Sequence, residues 1–157
     1  MLAEVVVDVL SATLGVEETY GADAPKGKHM IEIGASRLNN PNLTYALRIF
    51  GRPPRTAACD CERAMDPALP QTLYRMTDQS ILTKLAQKGN RIDVLIAQKL
   101  TDDQILDELF LMSLSRLPNA TEREAFVDHR ERETDRRKLL IDTLWALINT
   151  REFILNH

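Results

Sequence analysis

The sequence predicts an all-α fold, a single bundle of about six helices with a long ordered loop around residues 51–66. Three observations predict it. Apolar residues recur at helical spacing along most of the chain. Glycine, proline and asparagine punctuate the pattern where helices start and stop. Aromatic residues make up only 5% of the sequence against 44% hydrophobic residues overall, so the core must be built from Leu, Ile, Val and Ala. A chain of 157 residues suits one domain, here 1–157, and a globule of that size buries roughly 68–70% of its unfolded surface.

The elements follow in order. Leu2, Val5, Val6, Val9, Leu10 and Thr13 lie on one face of a helix over 2–14, which Gly15 stops. Residues 15–40 hold no sustained period, although Met30-Ile31-Glu32-Ile33 alternates and reads as one extended edge segment. Asn40 or Asn42 can cap the next helix, whose face is Leu43, Ala46, Leu47 and Phe50 before Gly51 and the proline pair end it. Pro67 or Pro70 can open a helix running through Leu69, Leu73, Met76, Ile81, Leu82 and Leu85 to Gln87, with Gly89-Asn90 as its breaker.

A short helix is expected from Ile92 to Leu100. Thr101 and Gln104 have the spacing of a capping box, and Ile105, Leu106, Leu109, Phe110, Met112 and Leu114 follow as a broad apolar set. After Pro118, Thr121 with Glu124 reads as a second cap. Residues 122–138 are heavily charged, and Asp128–Arg132 and Glu133–Arg137 are spaced for ion pairs worth about 0.2–0.5 kcal/mol each on a solvated face. Leu139, Leu140, Thr143, Leu144, Leu147, Ile148, Phe153 and Ile154 form a terminal helix or helix pair that closes the core and carries the single tryptophan, Trp145.

Charge and hydropathy narrow the function. Twenty basic and 23 acidic residues leave a net charge of −3, which offers no general attraction to nucleic acid or anionic lipid. No segment approaches the roughly 18 consecutive apolar residues that cross a bilayer, so no membrane insertion is expected. Glu4 and Asp8 interrupt the first apolar run and no basic residue precedes it, which does not fit a signal peptide. Opening directly on an amphipathic pattern suggests the C-terminal fragment of a larger protein.

The chemistry concentrates in the loop. Arg52, Arg55, Cys59, Asp60, Cys61, Glu62 and Arg63 crowd one segment between two helical patterns, and they are the candidate functional residues. Cys59 and Cys61, one residue apart, would point the same way from an extended segment. They can share a metal, close a small strained disulfide, or pack as reduced thiols, and the last is favoured. Zinc commonly takes two such pairs, and His29, His129 and His157 have no ligand spacing to one another. No metal or other cofactor is therefore expected, with Cys59 and Cys61 as the weak metal candidates. The arginines can hold an anion in bidentate fashion, but Asp60, Glu62 and Asp66 stand among them, which favours an internal arginine–acid network. No phosphate-binding glycine loop, nucleophile elbow or zinc-protease helix motif is present, so no catalytic residue is assigned.

The same residues resemble a known domain. Phe50-Gly51-Arg52-Pro53, Cys59-Asp60-Cys61-Glu62-Arg63 and Gln71-Thr72-Leu73 are similar, in that order, to the signature of a C-terminal domain of unknown function in large bacterial proteins abundant in planctomycetes. Leu114-Ser115-Arg116-Leu117-Pro118 resembles its Ser-Arg-x-Pro. The stretch from Asp142 to Asn149, with Glu152-Phe153 and Asn156-His157, resembles its Trp-Ala-Leu-x-Asn…Glu-Phe…Asn-His ending. Ala64 and Met65 depart from the small polar residue expected after Glu-Arg. The resemblance covers residues 45–157 and implies a parent that is periplasmic or on the cell surface, often carrying cytochrome-c-like modules. It implies no catalytic residue.

Together these readings point to a non-catalytic helical accessory or interaction module of a larger exported protein. Its expected partners are neighbouring domains of the parent chain or another protein, and neither nucleic acid nor a membrane-inserted state is expected. The alternatives are a redox- or metal-linked part of an enzyme using Cys59 and Cys61, and a module binding an anion or polysaccharide through the arginines.

Overall fold

The helical periodicity resolves into nine α-helices and one 3-10 turn among the residues that the computed structural model describes, namely 2–22, 24–33, 37–52 and 69–155. The fold is an all-α helical bundle, as the pattern predicts, with no strand among the described residues. The long loop expected around 51–66 lies outside the described residues apart from Gly51 and Arg52. The chain divides into two compact units, Met1–Ile81 and Leu82–His157, described here in turn.

In the first unit, α1 (Ala3–Leu14) packs against the 3-10 turn and against α2 (Pro41–Ile49), and α2 packs against α3 (Leu69–Thr77). Gly15 ends α1 in the left-handed conformation at φ 66°, where its N–H and that of Val16 reach back to Ala12 and Ser11. The buried face of α1 is Ala3, Val6, Val7, Leu10 and Leu14, rotated from the expected one: Leu2 is exposed and Val5 and Val9 are half-buried. Of the two candidate caps Asn40 serves α2, its Oδ1 accepting from the N–H groups of Asn42 and Leu43 at 3.1 and 3.3 Å, with Pro41 in the first turn. Leu43, Ala46, Leu47 and Phe50 are buried as expected. Gly21 lies so close to the returning chain that a Cβ would meet the Arg37 carbonyl oxygen at 3.0 Å.

Residues 30–33 are a correction. They form a 3-10 turn, Met30–Glu32, where the alternation suggested an extended edge. Two acids, one local and one from α1, hold the turn. Glu32 accepts from the His29 N–H at 2.9 Å, and the Asp8 carboxylate on α1 accepts from the N–H groups of Met30 and Ile31 at 2.5 and 3.3 Å.

The helix expected from 67 or 70 to 87 is two helices, α3 and α4 (Gln79–Ala86), broken at Asp78. The Asp78 carboxylate accepts from the Ser80 N–H at 2.9 Å and from the Ser80 hydroxyl, offering the backbone an alternative to the helical ladder. The face of α3 also differs from the expected one. Leu69, Leu73 and Met76 are exposed, while Tyr74 and Arg75 are buried. Tyr74 sits edge-on to Phe50, ring centroids 5.6 Å apart, and tilted against Tyr45 at 6.1 Å. Burial, reinforced by the nearby Asp78 carboxylate, pushes the Tyr74 phenol up to about 12.

In the second unit, α8 (Arg136–Asn149) is the central helix, packed against α5 (Arg91–Ala97), α6 (Asp102–Leu114), α7 (Ala120–Arg132) and α9 (Arg151–Leu155). Its apolar face, Leu139, Leu140, Leu144, Leu147 and Ile148, is buried together with Ile92, Ile105, Leu109, Phe126 and Phe153. Asn90 joins α4 to α5: its Nδ2 donates to the Leu85 carbonyl at 2.7 Å while its Oδ1 accepts from the Asp93 N–H at 3.2 Å. Thr101 and Gln104 form the expected capping box on α6. The cap on α7 is Asn119 with Glu122, two residues before the expected Thr121 with Glu124.

The charged stretch breaks at residues 133–135, where Asp135 caps α8 by accepting from the N–H groups of Arg137 and Lys138 at 2.9 and 3.2 Å. The terminal segment is a pair, α8 and α9, because the Thr150 hydroxyl oxygen accepts from the Phe153 N–H at 3.2 Å and starts a new helix.

Candidate functional site

Of the seven loop residues singled out in the sequence, Arg52 is described; Arg55, Cys59, Asp60, Cys61, Glu62 and Arg63 lie outside the described residues. Arg52 follows the end of α2, and its N–H donates to the Leu47 carbonyl at 2.8 Å. Its side chain turns inward, with Nε 3.3 Å from Oε1 of Glu4 on α1 and only 12% and 9% of the two side chains exposed. The arginine–acid pairing is thus internal at this position, although the acid comes from α1. The sequence reading missed Glu4 and Asp8 as functional parts of the fold. Their signal is a pair of acids at i and i+4 within an apolar helical run, one buried against Arg52 and one bonded to the 3-10 turn.

Gln71, from the Gln-Thr-Leu motif, donates from Nε2 to the Ile49 carbonyl at 3.4 Å and ties α3 to α2. In the second unit the Ser-Arg-x-Pro and Glu-Phe motifs meet. The Arg116 guanidinium binds Glu122 through Nη1 and Nη2 at 2.8 and 2.7 Å, and Glu152 through Nε and Nη2 at 2.7 and 2.8 Å. Nη1 also donates to the Leu117 carbonyl at 3.1 Å, and the group lies 5.4 Å from the centre of the Phe110 ring. One arginine therefore fastens the end of α6 to the starts of α7 and α9. The two carboxylates hold its proton more firmly than in a free arginine, and Arg116 in turn holds Glu122 below the usual carboxylate range.

The other charged residues in this unit pair mainly between helices. Arg137 donates from Nε to Asp93 at 2.7 Å, bypassing the expected Glu133, and lowers the Asp93 pKa. Arg136 binds Asp102 at 2.7 Å and Arg123 binds Asp107 at 2.6 Å. Glu133 instead accepts from Lys138 across the α7–α8 break.

A groove of about 410 Å³ opens between the end of α4 and α8. Its apolar lining is Leu82, Leu85 and Ala86 from α4 with Ile141 and Trp145 from α8, and Asp135, Arg137, Lys138 and Asp142 supply its polar border. Trp145 is half-buried, which corrects the expectation that it closes the core; the fully buried aromatic of this segment is Phe153. The difference is one of helix face: Leu144 and Ile148 take the core side of α8, and Trp145 shares the other side with Lys138, Ile141 and Asp142. The volume falls within the roughly 300–1,000 Å³ of ligand clefts.

Among the described residues no group of three or more His, Cys, Asp and Glu side chains is placed to hold a metal ion. No described helix is long and apolar enough to cross a membrane. Compared with protein-family models, curated proteins and solved structures, the chain finds no match.

Proposed function

We propose that this chain is a non-catalytic helical interaction module of a larger exported protein, and that the Trp145 groove is its binding face. The groove carries the reading. It leaves the single tryptophan and neighbouring aliphatic side chains on an accessible concave surface, while most ionisable groups around it serve the fold. A parent on the cell surface or in the periplasm, related to the planctomycete-type proteins that the motifs resemble, is part of the same proposal. At Arg52, the Glu4 pair counts against the alternative of an anion- or polysaccharide-binding module.

Hydrogen exchange tests the proposal. Amides of Lys138–Trp145 should exchange more slowly in the full-length parent, or with its partner bound, than in the isolated chain. Equal exchange in both would remove the groove as a binding face. The alternative of a redox- or metal-linked role for Cys59 and Cys61 is tested separately by native thiol titration with intact-mass readout. A mass lower by two hydrogens with no labelling would put that alternative first.

A further inference from the structure

Resting on that reading, we infer that the groove takes an amphipathic helix of a partner protein, one presenting an apolar residue to Trp145 and a lysine or arginine to Asp142. Three observations lead there. The first is shape. The α8 wall runs from Lys138 to Trp145, and its lining residues Lys138, Ile141, Asp142 and Trp145 stand at helical spacing along two turns, about 10 Å. Leu82, Leu85 and Ala86 form the opposite wall from α4. Two helical walls, one of about two turns and one of about one turn, match the helix-in-groove mode of recognition, with anchors one turn apart.

The second is which charges are already used. Asp135 caps its own helix, Arg137 is hydrogen-bonded to Asp93 and to the carbonyls of Ala86 and Gln87, and Lys138 is bonded to Glu133. Asp142 differs. Its ion-pair partner is His129 Nε2 at 3.6 Å, beyond hydrogen-bond reach, and 44% of the Asp142 side chain is exposed. Lys138 is more exposed, at 62% of its side chain, but its ammonium is already bonded to Glu133, so Asp142 is the border charge that holds no hydrogen-bond partner among the described residues.

The third is the placement of that carboxylate. Asp142 precedes Trp145 by three residues, on the same side of α8, so a ligand filling the apolar part of the groove brings its neighbouring turn over Asp142.

The test uses the whole chain, whose only tryptophan reports on the groove. Three probes are titrated at low salt: an 18-residue Leu/Lys amphipathic helix, its Leu/Glu counterpart, and hexylammonium. The Leu/Lys helix should shift Trp145 emission to shorter wavelength, saturably. Asp142→Asn should weaken that binding about fivefold with helicity unchanged, and the Leu/Glu helix should bind at least as weakly. Equal binding of both helices, or no effect of Asp142→Asn, would overturn the inference. Saturation by hexylammonium alone would make this a small-cation site. A concentration-dependent doubling of mass accompanied by the same shift would make the occupant a second copy of the chain. Groove protection in the parent together with an inert Asp142→Asn would sink the partner chemistry and leave the module reading standing.

Discussion

Arg116 and Glu152, distant in sequence, are joined by two hydrogen bonds of 2.7 and 2.8 Å that fasten the last described helix to the end of α6. The fork of the guanidinium is what allows one side chain to serve two carboxylates at once. Arg116→Lys keeps the charge and loses the fork. We expect it to cost about 1–2 kcal/mol, discounted for partial exposure, and Arg116→Ala to cost more. Urea unfolding followed by Trp145 emission measures this, and an unchanged midpoint for Arg116→Lys would show that charge alone suffices.

The Glu4–Arg52 pair predicts non-additivity. Glu4→Leu takes the carboxylate from the largely buried Arg52 guanidinium and should cost about 3 kcal/mol, and Arg52→Leu should also destabilise. The double change should cost clearly less than the two single costs together, because the two residues interact directly. A purely additive cycle would mean that the two residues do not interact.

Trp145 and Phe153 should behave differently although both belong to the terminal segment. Phe153 is fully buried, and Phe153→Ala should cost about 3–5 kcal/mol. Trp145→Ala should cost only about 1–2 kcal/mol, since half-buried rings lose less contact on truncation. Chemical unfolding by far-UV circular dichroism compares them directly, and equal costs would place Trp145 in the core.

The two units carry different pH-sensitive groups. All three tyrosines lie in the first unit, and Tyr20 and Tyr74 are both pushed up to about 12, chiefly by burial. A raised phenol pKa stabilises the fold at pH below about 10 and loses that contribution as pH rises towards 12. Tyr74→Phe should therefore flatten the alkaline loss, read by far-UV circular dichroism.

In the second unit Asp93 and Glu122 are held below the usual carboxylate range by Arg137 and Arg116. Their contribution is present above about pH 4 and fades as pH falls further. Acid titration below about pH 4 should change Trp145 emission and Asp93→Asn should blunt that change, while an identical profile for Asp93→Asn would contradict this assignment.

The helices were legible because periodicity and caps are local. Gly15, the Thr101–Gln104 box and the apolar face of α2 are visible in a few consecutive residues. The breaks at Asp78 and Thr150 were harder to see, since each depends on a side chain outcompeting a helical hydrogen bond. Of the candidate site, the sequence exposed an arginine in need of an acid at position 52 but not which acid, since Glu4 is distant along the chain and becomes a neighbour only when α1 and α2 pack.

By itself, then, the sequence determined that this chain is helical, where most helices begin and end, and that its charge is nearly balanced. The tertiary structure decided which faces are covered. It buried Phe153 and left Trp145 in a groove, sent Arg137 to Asp93 instead of Glu133, and bent residues 30–32 into a turn beneath Asp8. Helical spacing tells which residues share a face, but partners for that face come from segments far along the chain, and only their packing fixes which contacts form.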